Sequence, residues 1–175
     1  MRLFTAIDLP DAMKQALSQR CFGLPRCRWF EPQQMHLTLV FIGEINPARK
    51  IDIIENLNEI KFPAFELQCQ GIGSFRSGVL WLGTKPCEPL LQLQRQIHKH
   101  LIQIKALSLD SRKYHPHITL AQMERRNPPA LDNFIAFNSG DSYSFSVEQF
   151  VLKSSTLQPS GALHRTEQQF PCLSN

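Results

Sequence analysis

Two spacings of apolar residues alternate along the chain. Runs with strand spacing fall at residues 2–8, from His36 through Val40, Phe41 and Ile42 to the breaker Gly43, at 65–71, 79–84 and 117–120, and again near 143–157 and 163–170. Runs with helical spacing lie between them. Asp11 is placed to cap a helix reaching about Arg20, with Met13, Ala16 and Leu17 on one face and Gly23 and Pro25 beyond its end. Asn46-Pro47 opens a second helix with Ile51, Ile54 and Leu57 as its buried stripe. Pro89 to about Ile104 forms a third, with Leu90, Leu93, Ile97, Leu101 and Ile104 facing inward and His98 and His100 in solvent. Asn127-Pro128-Pro129 breaks the chain before a short helix near 130–136, and Gln158-Pro159-Ser160-Gly161 turns between the last strands. The order βαβαββα, then βαββ, has helices and strands on both sides of residue 88 with no linker or low-complexity stretch. It predicts interleaved halves of one α+β domain.

Within this pattern one signal is written twice: His36-Leu37-Thr38-Leu39 and His117-Ile118-Thr119-Leu120, with the histidines 81 residues apart. Side chains on a strand alternate between faces, so each copy has a polar His-Thr front and an aliphatic back. Pro116 holds His115 extended and marks the entrance to the second strand. One such tetrapeptide is ordinary for a half-exposed strand. Two copies imply an internal duplication, in which the strands lie about a pseudo-twofold axis and present both fronts to one cleft.

The residue types suit a phosphodiester. Imidazole titrates near neutrality, so one ring can be neutral while the other carries a proton, giving a base for the attacking oxygen and an acid for the leaving oxygen. The threonine hydroxyls are short, stiff donors for the nonbridging oxygens, where negative charge develops.

These motifs resemble the 2H phosphoesterases, whose signature is two His-x-Thr-x motifs, and more narrowly the LigT-like bacterial RNA 2′,3′-cyclic phosphodiesterases. The resemblance extends to the opening strand Arg2 to Pro10, the block Trp29 to Glu44, the strand Val79 to Gly83 and the strand Phe150 to Ser154. It implies a single bilobal domain over residues 1–175, made of pseudo-twofold, duplicated antiparallel-sheet lobes with outer helices and a central cleft. It implies metal-independent hydrolysis of a 2′,3′-cyclic phosphate to a 2′-phosphate with no cofactor, His36 as proton donor and His117 as proton acceptor, Thr38 and Thr119 on the phosphate, and in some relatives ATP-independent 2′,5′ ligation of RNA. One departure is visible: many relatives follow the second motif with Ala-Arg, whereas Gln122 follows Ala121 here, and the nearest cations are Arg125 and Arg126.

Composition is compatible with this reading. The 175 residues, 42% hydrophobic and 19% charged, describe a globular chain, and a net charge of +4 permits a polyanionic ligand without a basic run to prove one. No apolar stretch is long enough to span a membrane, and Asp8 and Asp11 interrupt any signal-like core, so the expected location is cytoplasmic and the expected form a monomer acting on RNA ends. Five cysteines without a Cys-x-x-Cys pair fit a reduced compartment. Tyr114 either stacks on a base or packs beside its strand, and Arg76, Arg125 and Arg126 either hold RNA phosphates or lie solvated. Phe41 belongs to the core in a regular strand and reaches the cleft only through a bulge. The role of His115 stays open, and His164 is expected in solvent on the last strand. Two rival readings use the same histidines: a metal-dependent phosphodiesterase, and a noncatalytic protein that binds RNA ends.

Overall fold

The structure, a computed structural model, describes residues 1–105, 107, 109–110, 112–124, 130–158 and 161–173. Its strands are β1 (Arg2–Asp8), β2 (Cys27–Trp29), β3 (His36–Glu44), β4 (Phe65–Ser74), β5 (Val79–Thr84), β6 (His117–Met123), β7 (Ser142–Val147), β8 (Gln149–Gln158) and β9 (Gly161–Pro171). Its helices are α1 (Asp11–Ser18), α2 (Lys50–Asn58), α3 (Glu88–Ile102) and α4 (Leu131–Asn138). All strands join one antiparallel sheet in the order β7-β4-β5-β6-β3-β1-β8-β9, with β2 on β6. The first half of the sheet (β1, β3, β8, β9) thus combines the two ends of the chain, and the second (β4 to β7) its middle. This is the expected α+β architecture of interleaved antiparallel halves.

The two halves share a fine detail. In β3 the ladder with β1 skips Leu39, since Thr5 pairs with Val40 and Ala6 with Thr38. In β6 the ladder with β5 skips Leu120, 81 positions on, since Leu80 pairs with Ala121 and Trp81 with Thr119. Each bulge puts two consecutive residues into the core, Leu39-Val40 and Leu120-Ala121, and reverses the alternation beyond it. Thr5, fully buried, accepts the Val40 N–H through its hydroxyl at 3.1 Å and so satisfies a backbone donor at the first bulge.

Phe41 is therefore not core: the bulge turns it out, 47% exposed. Four further expectations also change. β2 was not expected, and 143–157 is two strands, interrupted at Glu148. Ile51 is exposed and Ile53 takes its place with Leu57, because a four-residue step keeps those two on one side of the helix. Asp11 is inside α1, with Pro10 at the N-cap, and its carboxylate pairs with Lys14 Nζ at 3.1 Å. Asn46 does cap as expected, accepting the Ala48 N–H, but opens a single 3₁₀ turn before α2. The α3 stripe Leu90, Leu93, Ile97, Leu101 and Ile104 is buried throughout.

The core lies between the backs of the central strands and the helices: Leu37, Leu39, Ile118 and Leu120 are at most 3% exposed and share a cluster with Met13, Leu17, Ile53, Leu57, Leu93 and Ile97. Among the described residues no helix is long and apolar enough to cross a membrane.

The bulge makes a stability contrast. Leu37→Ala should cost roughly 2–5 kcal/mol in urea denaturation, as expected for a buried leucine, whereas Phe41→Ala should cost under about 1 kcal/mol. Comparable losses would place Phe41 in the core and refute the reversed alternation.

Candidate active site

β3 and β6 are adjacent but pair at one position only, Leu37 with Ile118. Antiparallel geometry about that rung sets Thr38 toward His117 and His36 toward Thr119, with all four side chains on the front and the aliphatic partners behind. Both motifs meet at the centre of the sheet, as the duplicated signal requires.

Each imidazole is fixed the same way. His36 Nδ1 is 2.7 Å from the carbonyl of Gln34, and His117 Nδ1 is 2.6 Å from the carbonyl of His115. A carbonyl only accepts, so both Nδ1 atoms carry hydrogen and donate, which leaves each Nε2 as the nitrogen that gains or loses a proton. At the first motif the carbonyl comes from the last residue of a 3₁₀ turn, Pro32–Gln34, and the extended Met35 that follows leads into β3.

The surroundings of the two rings differ. His36 packs on Phe4 and on His164, both at 4.9 Å between centroids, near the ion pair of Lys153 Nζ with Asp8 at 2.9 Å. His117 is bordered by Phe75 at 5.0 Å, His115 at 6.0 Å and Trp81 at 6.5 Å. Trp81 itself needs glycine beneath it: a Cβ on Gly73 would stand 2.4 Å from the indole, and one on Gly83 3.0 Å from it. Burial pushes the His36 imidazolium down to about 4, helped by the positive charges of His164 and Lys153 and opposed by the Gln34 carbonyl and Asp8. Burial also lowers His117, against the stabilising carbonyl of His115. Both rings are neutral at pH 7 in the free protein.

A cavity of about 520 Å³ opens on the His117 side, lined by Thr38, Phe41, Phe75, Tyr114, His115 and His117 among others. Tyr114 donates its hydroxyl to the Thr38 carbonyl at 3.0 Å while its ring faces the cavity, so it both packs and lines. Arg112 and Lys113 stand at the rim, Arg112 bound to Asp110. His36 and Thr119 lie outside this cavity.

Other candidates sort as follows. Arg76 is exposed in the turn between Phe75 and Ser77 and does not line the cavity. Arg125 and Arg126 lie outside the described residues. Gln122, where many relatives of the resembled family carry arginine, spends its amide on the carbonyls of Ser77 and Met123 at 3.0 and 3.1 Å. His98, expected in solvent, is half-buried and lines the cavity because α3 turns that side toward β3, and His100 is half-buried near Glu59. His164 is half-buried against His36 rather than solvated, since β9 curls over the front of β1. Sequence reasoning missed the Lys153–Asp8 pair, whose signal was a lysine directly after the apolar run Phe150 to Leu152 on one strand. Among the described residues no group of three or more His, Cys, Asp and Glu side chains is arranged to hold a metal ion.

Comparison with known proteins gives the family and the fold. Residues 6–156 match the model of the 2′-5′ RNA ligase superfamily. A protein of Archaeoglobus fulgidus named RNA 2′,3′-cyclic phosphodiesterase is 29% identical over 94% of this chain and 97% of its own. One of the same name from Escherichia coli K12 is 30% identical over 89% of this chain and 87% of its own. The crystal structure of E. coli LigT complexed with 3′-AMP superposes with a TM-score of 0.83 at 26% identity, covering 99% of this chain and 98% of that one.

A buried neutral histidine makes stability depend on pH. His36 takes up its proton near pH 4 in the fold but near 6.5 when unfolded, so between those values the unfolded chain holds more protons and stability falls as pH falls. Over that window wild type should lose on the order of 2 kcal/mol more than His36→Gln in urea titrations. Parallel curves for the two would show that His36 titrates as an exposed imidazole.

Proposed function

Because the chain belongs to the 2′-5′ RNA ligase superfamily, we propose that it is an RNA 2′,3′-cyclic phosphodiesterase in which residues 1–175 act as one bilobal catalytic unit. The observation that carries the reading is the matched anchoring of two imidazoles, each with Nδ1 on the carbonyl two residues back and Nε2 free, on adjacent strands beside two threonines.

In this mechanism the cyclic phosphate lies across the β3–β6 rung. His117 Nε2 takes a proton from water as its oxygen attacks phosphorus, the bond from phosphorus to O3′ breaks, and His36 Nε2 delivers a proton to O3′, leaving a 2′-phosphate. That division of roles follows the family resemblance. His36 is unprotonated in the free protein, and the phosphodiester anion favours the imidazolium, so substrate itself brings the ring to its acidic form. Thr38 and Thr119 hydroxyls donate to the nonbridging oxygens. The nucleoside enters the cavity beside His117, where Phe41, Phe75 and Tyr114 offer apolar walls and Arg112 and Lys113 meet the RNA backbone. With a 5′-hydroxyl in place of water, the same exchange yields a 2′,5′ linkage without ATP. The protein works in the cytoplasm, as five free cysteines without a Cys-x-x-Cys pair suggest, and acts as a monomer on RNA ends carrying the cyclic phosphate.

His36→Ala and His117→Ala should each lower kcat for a 2′,3′-cyclic nucleotide by about 10²–10⁴-fold with an unchanged circular dichroism spectrum, and the wild-type rate should be bell-shaped in pH. Full activity in either variant, or a monotonic pH profile, would reject the paired imidazoles.

Wild-type turnover should survive exhaustive chelation. Loss of activity reversed by added metal would favour the metal-dependent reading, and RNA binding without any product the noncatalytic one.

A further inference from the structure

The motifs supply two histidines, and the fold brings a third to the first of them. His164, on β9, meets the His36 ring edge to face, with centroids 4.9 Å apart at 77°, and both rings rest on Phe4 at 5.1 and 4.9 Å. Its Nδ1 is buried with no hydrogen-bond partner among the described residues, so a proton there finds no acceptor among them.

Gln34 joins the two rings into one assembly. Its carbonyl accepts the His36 Nδ1–H at 2.7 Å, and its side-chain Nε2 donates to the Ala162 carbonyl at 2.9 Å, two residues before His164. The equivalent position in the second half, 81 residues on, is His115, whose carbonyl does the same for His117 but whose ring packs on Trp81 at 4.9 Å. Only the first-half ring therefore has a neighbour pinned to it from the far end of the chain.

The charges around the pair are few. Asp8 on β1 and Lys153 on β8 are bound to each other at 2.9 Å. Arg28 on β2 reaches the β8–β9 turn, its Nη1 3.1 Å from where a Cβ on Gly161 would stand. Glu167, farther along β9, is held by Lys50 and by the Ser154 hydroxyl. Asp8, the carboxylate beside the two rings, is thus already paired with a lysine and offsets a positive charge on either ring only in part. Two unit charges about 5 Å apart at an effective dielectric of about 20 repel strongly enough to separate their titrations by on the order of a pH unit or more.

We propose that His164 is a positioning residue of the phosphoesterase site, locking the His36 ring against Phe4 and barring the two imidazoles from holding protons together. The proposal rests on the reading of His36 as a proton-transfer group. It makes proton transfer at His36 a single-proton affair, set by the β9 strand as much as by the motif itself.

Histidine side-chain NMR titration of the whole chain without substrate tests the coupling. In His164→Gln the His36 midpoint should rise by on the order of one pH unit, because the charge that opposes protonation of His36 is gone. A His36 midpoint that stays or falls in His164→Gln overturns the proposal. If that variant does not fold, His164→Asn decides by the same readout, an unmoved or lowered His36 midpoint overturning it. The limb of the kcat/KM pH profile for a 2′,3′-cyclic nucleotide that matches the His36 midpoint in wild type should move upward with that midpoint in His164→Gln while the other limb stays, and a profile that ignores the shifted midpoint refutes the positioning role. No turnover in wild type would instead overturn the reading of the site itself, a failure that the substrate-free titrations tell apart.

Discussion

Leu37 opposite Ile118 is the one rung at which β3 and β6 pair, and the site depends on it. Both residues are fully buried, so the core fixes which face of each strand looks inward. Because side chains alternate with a period of two, a slip of one residue would turn a His-Thr pair into the core and its aliphatic partners into the cleft. The free energy of packing Leu37, Leu39, Ile118 and Leu120 therefore also sets the register of four catalytic candidates. The paired bulges at Leu39 and Leu120 end this regular stretch at the same point in both halves and hand the next cleft-facing position to Phe41 and Gln122.

A duplicated scaffold would give two equivalent histidines, and acid–base work needs inequivalent ones. The backbone is faithful to the duplication, since both Nδ1 atoms find a carbonyl two residues back. The inequality comes from what lies over the rings. His36 is enclosed by Phe4, His164 and the neighbourhood of Lys153, with burial as the leading influence on its proton affinity. His117 opens onto a cavity of about 520 Å³ and is bordered by Phe75 and His115. Neighbouring strands have thus separated two positions that the chain writes almost identically.

The legible part of the structure was the part written in local periodicity. The α3 stripe and the two motif strands follow from spacing alone, and so does the meeting of the motifs once duplication is granted; of the turn at Gln158 to Gly161 the pairing of its two ends is described, while Pro159 and Ser160 lie outside the described residues. Phe41 was not legible, because a bulge is a decision of the β1 ladder and of the Thr5 hydroxyl, both remote from it in sequence. His164 and Lys153 were not legible as site residues for a similar reason: their importance comes from β8 lying beside β1, a pairing between the two ends of the chain. β2, three residues long, owes its existence to the free edge of β6 and has no periodicity to read. Arg125 and Arg126, singled out by comparison with the family pattern, fall outside the described residues, while Gln122 is committed to backbone carbonyls.

The interleaving of the halves also bears on how the protein is made. During synthesis, β4 to β6 and the second motif leave the ribosome together and in sequence, but β1 and β3 must wait for β8 and β9 before their half of the sheet is closed. Until some 150 residues have followed it, β1 presents an unpaired edge beside a nearly finished partner half. His36 then lacks both Lys153 and His164, so a nascent chain holds a folded-looking second motif and an unsheltered first one. The enclosure of His36 in such a molecule is completed only once β8 and β9 have been made, and removal of that hairpin would leave the first motif without the environment that governs its proton.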